Sequence, residues 1–320
     1  MRRREFIAMV GASVASWLPR PAAAQQRPFF VAVLVGNRDS ASYLEMLQGE
    51  MERLGYAPDR NLRMEFRSGA STDGSLPPIA QELAALKPDV IVAWLTPAVQ
   101  AVQKATGQIP IVMGGAGDPV ATGLVASLAR PGGNTTGLAG ATSQLTAKNV
   151  ELVRELLPNA KRLSVLGNAK DTYTDTFLTQ VEAAAGQQRL ACSRIMIESE
   201  GQLDAAFKRM SADGTDAVLV QPSLPVKRAA SLALEARLPS ASPIQSFARE
   251  GGLVCYSGRI SEQFRLVAQY VDKILKGAKP ADLPVQIPTQ FDLRLNVRTA
   301  KAIGVAIPPT LLLRADEVIE

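Results

Sequence analysis

No histidine occurs anywhere in the 320 residues. That absence removes imidazole general acid–base catalysis, Ser-His-Asp and Cys-His nucleophile pairs, and the commonest metal-ligating side chain. Cysteine is nearly as scarce, with Cys192 and Cys255 far apart in the chain. In an oxidising compartment the two can pair, and otherwise they pack as small apolar residues with buried free thiols. Beyond Arg2, Arg3 and Arg4 there is no run of basic residues, so nucleic-acid binding has no electrostatic footprint. Apart from the N-terminus, no segment approaches the roughly 20 apolar residues needed to span hydrocarbon. Short repeats and low-complexity tracts are also missing.

The first 24 residues carry a basic start, an apolar stretch from Ile7 to Leu18, and Ala22 and Ala24 before Gln25. This arrangement predicts a secretory signal cut before Gln25. Arg3-Arg4-Glu5-Phe6-Ile7 resembles the twin-arginine export pattern, which would mean export after folding. No cysteine stands near the cut, which argues against a lipid anchor. The leader holds four arginines and one glutamate, so the net charge of +5 falls by three to +2 once it is removed. The expectation is a soluble, nearly neutral mature chain in the periplasm, long enough for two domains.

After the leader, short apolar runs alternate with amphipathic stretches, the mark of βαβ units and parallel sheets. Phe29 to Val35, Val90 to Leu95 and Ile109 to Met113 read as strands buried on both faces, and Leu62, Met64 and Phe66 as an alternating one. Leu44, Leu47, Met51 and Leu54 share one helical face, as do Ile79, Leu83 and Leu86. Thr96-Pro97 opens a further helix in cap-then-proline order. Past the turn cluster Arg130-Pro131-Gly132-Gly133-Asn134 the pattern starts again. Helices are predicted over 145–157, 175–187, 203–210 and 264–275. Strands are predicted over 163–166, 190–197, 217–220 and 253–256, with a late strand-helix unit at 291–303. Two successive blocks imply an α/β fold of two similar Rossmann-like lobes.

In open parallel sheets, ligands bind beyond the carboxyl ends of the strands. The loops there hold Asn37, Thr96, Pro97 and Asp118 in the first block, and Asn168, Tyr173, Gln221 and Tyr256 in the second. These are the candidate ligand-binding residues. The helix opening at Thr96-Pro97 suits a carboxylate, although Thr96 can equally serve as a cap. Asp118 can meet a ligand ammonium or simply start an Asp-Pro turn. Tyr173 and Tyr256 offer flat apolar surface for a ring, or ordinary packing. Asn168 and Gln221 supply both donors and acceptors. Gly114-Gly115-Ala116-Gly117 lacks the Lys-Ser/Thr and the spacing of nucleotide loops. Arg38 with Asp39, and Glu198 with Glu200, read as solvated loop charges. No nucleophile has a visible base partner.

Three stretches resemble a known family: L-Q-G-E-M-E-R-L-G-Y-A-P-D-R-N-L at 47–62, I-P-I-V-M-G-G-A-G-D-P-V-A-T-G-L-V-A-S-L-A-R-P-G-G-N-T-T-G at 109–137, and the tail from Val271 to Glu320. The tail is the most specific, with K-I-L-K-G-A-K-P-A-D-L-P-V-Q-I-P-T and T-A-K-A-I-G-V-A-I-P-P-T-L-L-L-R-A-D-E-V-I-E. Together they resemble ABC-transporter substrate-binding proteins of the tryptophan/tyrosine type. The resemblance implies a type I periplasmic-binding fold with a three-crossover hinge near residues 140, 256 and 286. One lobe would comprise 25–140 plus 257–286, the other 141–256 plus 287–320. It also implies a monomer that binds a small carboxylate-bearing molecule between its lobes and delivers it to a permease with its ATPase. Such a protein is not an enzyme and uses no cofactor or metal. The family often has a tryptophan before Asn-Pro after the first strand of the second lobe, whereas this chain reads Val165-Leu166-Gly167-Asn168-Ala169. An exported α/β enzyme or a ligand-sensing domain would use the same cleft. A repressor would need a helix-turn-helix where the export signal stands.

Expressed with residues 1–24, the protein is expected outside the cytoplasm with Gln25 at its new N-terminus, as mass spectrometry of the secreted fraction would show. An uncleaved cytoplasmic chain would contradict the reading of the leader.

Overall fold

The computed structural model describes residues 27–37, 41–58, 60–140 and 142–320. The expected leader, its arginine pair and its cut site lie outside the described residues, as do Arg38 and Asp39.

Five parallel strands form the first sheet: β1 (Phe29–Val35), β2 (Leu62–Ser68), β3 (Val90–Trp94), β4 (Ile111–Ala116) and β5 (Thr135–Ala139), in the order β2-β1-β3-β4-β5. Helices α1 (Ala41–Arg53), α2 (Leu76–Ala85) and α3 (Thr96–Ala105) connect them. The second sheet takes β6 (Arg162–Asn168), β7 (Ala191–Ile197), β8 (Ala217–Val220), β9 (Ser240–Ala241), β10 (Val254–Gly258), β11 (Phe291–Asn296) and β12 (Glu317–Ile319). Their order is β12-β11-β10-β9-β8-β6-β7, with β10 and β11 antiparallel and the other pairs parallel. Its helices are α4 (Thr142–Leu156), α5 (Thr174–Gln187), α6 (Leu203–Ala212), α7 (Val226–Glu235) and α8 (Ser246–Arg249). Then come α9 (Ile260–Leu275), α10 (Val297–Ile303) and α11 (Pro309–Leu312).

The strand sequences explain the layering. Along β1, Val31, Val33 and Val35 enter one core with Leu47 and Met51 of α1 and Phe264, Val267 and Val271 of α9. Ala32 and Leu34 point the other way, against Leu83 of α2 and Val99 and Val102 of α3. A strand covered on both faces cannot alternate with polar residues, hence the continuous apolar run. The second sheet is sandwiched likewise, with Val153 and Phe177 on one face and Phe207 and Ala230 on the other. Although α9 follows β10 of the second sheet, it packs on α1, β4 and β5 of the first. The chain therefore passes between sheets three times: from Ala139 to Thr142, from Gly258 to Ile260, and from Gln286, which bridges to Leu138, to Phe291.

Several local expectations are corrected. Leu54 does not join the buried stripe of α1 and is 39% exposed. The helix ends at Arg53, the Tyr56 N–H folds back onto the Met51 carbonyl at 3.0 Å, and Tyr56 takes the buried place instead. Leu86 caps the end of α2 rather than facing the core, and is 41% exposed. Strands β5 and β9 and helix α7 have no counterpart in the sequence reading. The cysteines are free; burial pushes the Cys255 thiol up to about 12 and Cys192 to about 11, so both stay protonated.

Gly137 of β5 pairs with Met113 at a φ of 123°, and a Cβ there would run into the Met113 backbone. Gly137→Ala combines left-sided backbone strain with a clash that no side-chain rotation relieves, and should cost roughly 3 kcal/mol. A melting temperature lower by about 6–12 °C is the expected readout; an unchanged value would contradict the assigned strand geometry.

Candidate functional site

The carboxyl ends of the two sheets face each other across a cleft of about 960 Å³, its open mouth included. The first sheet contributes Trp94, Leu95 and Thr96 at the end of β3, Gly114, Gly115 and Gly117 at the end of β4, and Tyr43 of α1. The second contributes Asp171, Tyr173, the Gln221–Ser223 loop and the Pro243–Gln245 loop. Thr146 of α4 adds to that wall, and Ser257, Gln263 and Phe291 close the back where the chain passes between sheets.

One wall is aromatic. The Trp94 ring lies 4.8 Å from Phe264, and Tyr43 sets its edge against both at 5.4 and 5.3 Å. Edge-to-face packing of this kind holds the rings in one arrangement. The glycine-rich segment after β4 now has a physical explanation. A Cβ on Gly114 would fall inside the Trp94 ring, and one on Gly117 inside the Tyr173 ring. These glycines admit aromatic rings to the cleft rather than a phosphate. Burial pushes the Tyr43 phenol up to about 12, so it stays neutral.

The turn into α3 differs from the expected cap. Leu95, at φ 70°, takes the capping position, and Thr96 and Pro97 are the first two helical residues. The Thr96 hydroxyl accepts the Gly117 N–H at 3.0 Å, fixing the end of β4 to the start of α3. Its own hydrogen can still be donated. The first helical bond of the turn runs from the Val99 N–H to the Leu95 carbonyl, so the earlier N–H groups of Thr96 and Ala98 lie at the positive end of the helix.

Opposite stands Asp171, which is 5% exposed. One carboxylate oxygen accepts the Tyr173 N–H at 2.9 Å and the other accepts the Gln221 amide at 3.0 Å. The Gln221 orientation is fixed by its other end, whose oxygen accepts the Asn168 N–H at 2.7 Å and the Thr174 hydroxyl at 2.9 Å. Among the described residues, no lysine or arginine lines the cleft. Burial pushes the Asp171 carboxyl above the usual carboxylate range, and hydrogen bonds from Ser223 and the Tyr173 N–H only partly offset it. A buried acid of this kind favours a cationic partner.

Of the residues singled out in the sequence, Thr96, Tyr173 and Gln221 line the cleft. Asn168 lies behind Gln221, fully buried, and donates to the Ser71 hydroxyl of the first lobe at 2.6 Å. Pro97 is buried in α3. Asn37 borders a separate hollow with Glu200 and Arg228. Asp118 does not line the cleft; its carboxylate accepts the Ala121 N–H at 3.0 Å and closes its own turn. Tyr256 packs its ring on Phe291 at 5.6 Å while Asn149 holds its backbone. The sequence reading missed Asp171, Trp94, Tyr43, Thr146 and Gln245. Asp171 stands between Asn168 and Tyr173, two of the residues singled out in the sequence. Trp94 was hidden in an apolar run.

The two lobes touch across the mouth. Besides Asn168 and Ser71, the Gln100 amide donates to the Thr172 hydroxyl at 2.6 Å, and the Lys170 ammonium reaches the Thr72 carbonyl at 3.5 Å.

Residues 31–319 match the family model for the ABC transporter substrate binding protein. The chain belongs to that family. A tyrosine-binding protein of Clostridioides difficile (strain R20291) is 26% identical over 259 residues, covering 79% of this chain and 74% of its own. Two crystal structures each superpose with a TM-score of 0.83 over 91% of this chain and 100% of theirs. One is a conserved domain protein from Vibrio cholerae at 25% identity. The other, at 24%, is an ABC domain from Streptococcus pneumonia in complex with L-Trp. The α/β architecture of two parallel-strand sheets is that of type I periplasmic binding proteins. Among the described residues, no helix of this substrate-binding protein is long and apolar enough to cross a membrane.

The burial of Asp171 has a pH signature. Its folded pKa lies above the ordinary 3.8, so between those values the folded state binds the additional proton and stability falls as pH rises. Asp171→Asn removes this loss. The melting temperature of the variant, relative to the unsubstituted protein, should therefore increase as pH rises from about 4 to about 7. A difference that does not change with pH would place Asp171 in contact with solvent.

Proposed function

We propose that this chain is the extracytoplasmic binding component of an ABC uptake transporter and closes its lobes over an aromatic α-amino acid. The observation that carries the reading is Asp171: a buried carboxylate with no counter-charge among the described residues that line the cleft, faced by a wall of Trp94 and Tyr43 that Phe264 backs. In this reading the ligand ammonium meets Asp171 beside the Gln221 amide. The ligand carboxylate takes the Thr96 hydroxyl and the opening turn of α3, and the ring lies along the aromatic wall. Each end satisfies a group that the cleft leaves short of partners, which is how a concave site fixes orientation. The tyrosine-binding relative and the structure holding L-Trp support an amino acid of this class. A permease with its ATPase is the partner to which the closed protein delivers its ligand.

Calorimetric titration of the processed protein tests the arrangement. Thr96→Ala removes one charge-assisted hydrogen bond, so affinity for the best-bound aromatic amino acid should fall about 10- to 100-fold. Asp171→Asn should weaken the amino acid by at least about as much, and weaken its des-amino analogue far less. If both variants bind like the unsubstituted protein, the head group is held elsewhere.

A further inference from the structure

Two deeply buried polar atoms on the wall of the second lobe, Thr146 Oγ1 and Gln245 Oε1, have no hydrogen-bond partner among the described residues. Both residues line the cleft, and Thr146 is 1% exposed. Groups so placed lose their water on folding and gain nothing in return unless a ligand supplies the bond. Their chemistry states what that ligand must carry. An amide oxygen only accepts, so whatever meets Gln245 Oε1 donates a hydrogen; a threonine hydroxyl serves either way.

Position in the sheet gives the distance. Asp171 follows β6 and Gln245 follows β9, with β8 between them. Two strand spacings amount to about 10 Å, comparable to the reach of an aromatic amino acid from its amine to the far edge of its ring. Thr146 also lines the cleft, from α4, which packs against β9 and β10. Resting on the reading of Asp171 as the ammonium site, we propose that Thr146 and Gln245 form the far-end subsite of the cleft. It selects ligands whose ring carries a hydrogen-bond donor, a phenol hydroxyl or an indole N–H, over an unsubstituted ring. A site built to hydrogen-bond one group rejects the analogue lacking it, because the protein atoms are then left buried without a partner.

The experiment measures dissociation constants by calorimetry for tyrosine, tryptophan, phenylalanine, O-methyltyrosine and 1-methyltryptophan. The better of tyrosine and tryptophan should bind about 10-fold or more tightly than phenylalanine, and than its own methylated form. Gln245→Leu should reduce that ratio to about threefold or less, and the near-isosteric Thr146→Val should reduce it in the same direction. Equal binding of phenylalanine, or of the methylated ligand, by the unsubstituted protein overturns the proposal, as does a ratio that survives in both variants. Should no amino acid bind, the pair 3-(4-hydroxyphenyl)propionate and 3-phenylpropionate separates the two readings. A preference for the hydroxylated acid that is lost in Gln245→Leu retains the far-end subsite while the Asp171 reading fails. No preference within the pair, or no binding of either, removes both.

Discussion

The bond from the Gln221 amide to Asp171 organises the cleft. An isolated carboxylate taken out of water is costly enough that proteins either pair it or protonate it. Here it is held by donors of the protein, the Gln221 amide and the Tyr173 N–H, and by a hydrogen bond from Ser223. Gln221 cannot turn away, because its oxygen is fixed by Asn168 and Thr174. The loops after β6 and β8 are thereby locked together around one acid. They present it to a cavity whose described lining holds no basic side chain. Stored electrostatic demand of this sort is a common mark of binding sites, where ligand charge completes what the protein leaves open.

The same network reaches the other lobe. Asn168 gives its backbone N–H to Gln221 and its side-chain amide to the Ser71 hydroxyl. Two and four residues further on, Lys170 and Thr172 contact Thr72 and Gln100, and Tyr173 lies over Gly117. The loop that positions the acid is therefore also the loop that meets the facing lobe. Its geometry at Asp171 and the approach of the two sheets are not independent, so head-group capture and closure act through one short stretch of chain.

Much of the architecture was legible because a doubly covered strand has no choice but to be apolar: β1, β3 and β8 announce themselves, and the amphipathic stripes between them require helices. What stayed hidden had specific causes. Strand β5 contains Gly137 at positive φ and follows a dense turn cluster, so it reads as loop until its pairing with β4 is seen. Thr96 was placed in the cleft by its position after β3, yet its role differs, because the oxygen expected to cap α3 instead holds Gly117. Asp171 lies among Asn, Lys and Thr and looks solvated; its partner is the Gln221 amide, 50 residues later in the chain. Asp118, the more conspicuous acid in its glycine-rich setting, is satisfied by its own turn. Local sequence gives the charge but not the long-range partner that decides whether the charge is available.

The balance of closure follows from the magnitudes. The cross-cleft hydrogen bonds replace bonds to water, so each contributes only about 0.5–1.5 kcal/mol net. The three between the lobes therefore contribute only a few kcal/mol together. In the proposed reading Asp171 weighs against closing on an empty cleft, since closing strips further water from a carboxylate that has no cation to meet. A ligand ammonium reverses the sign of that contribution, turning the desolvated acid from a cost into a charge-assisted bond. Only a ligand that interacts differently with the two states can shift their populations. In the proposed reading, a buried acid that a cationic ligand satisfies supplies that difference, which accounts for a charged group standing among the aromatic rings and glycines of the cleft.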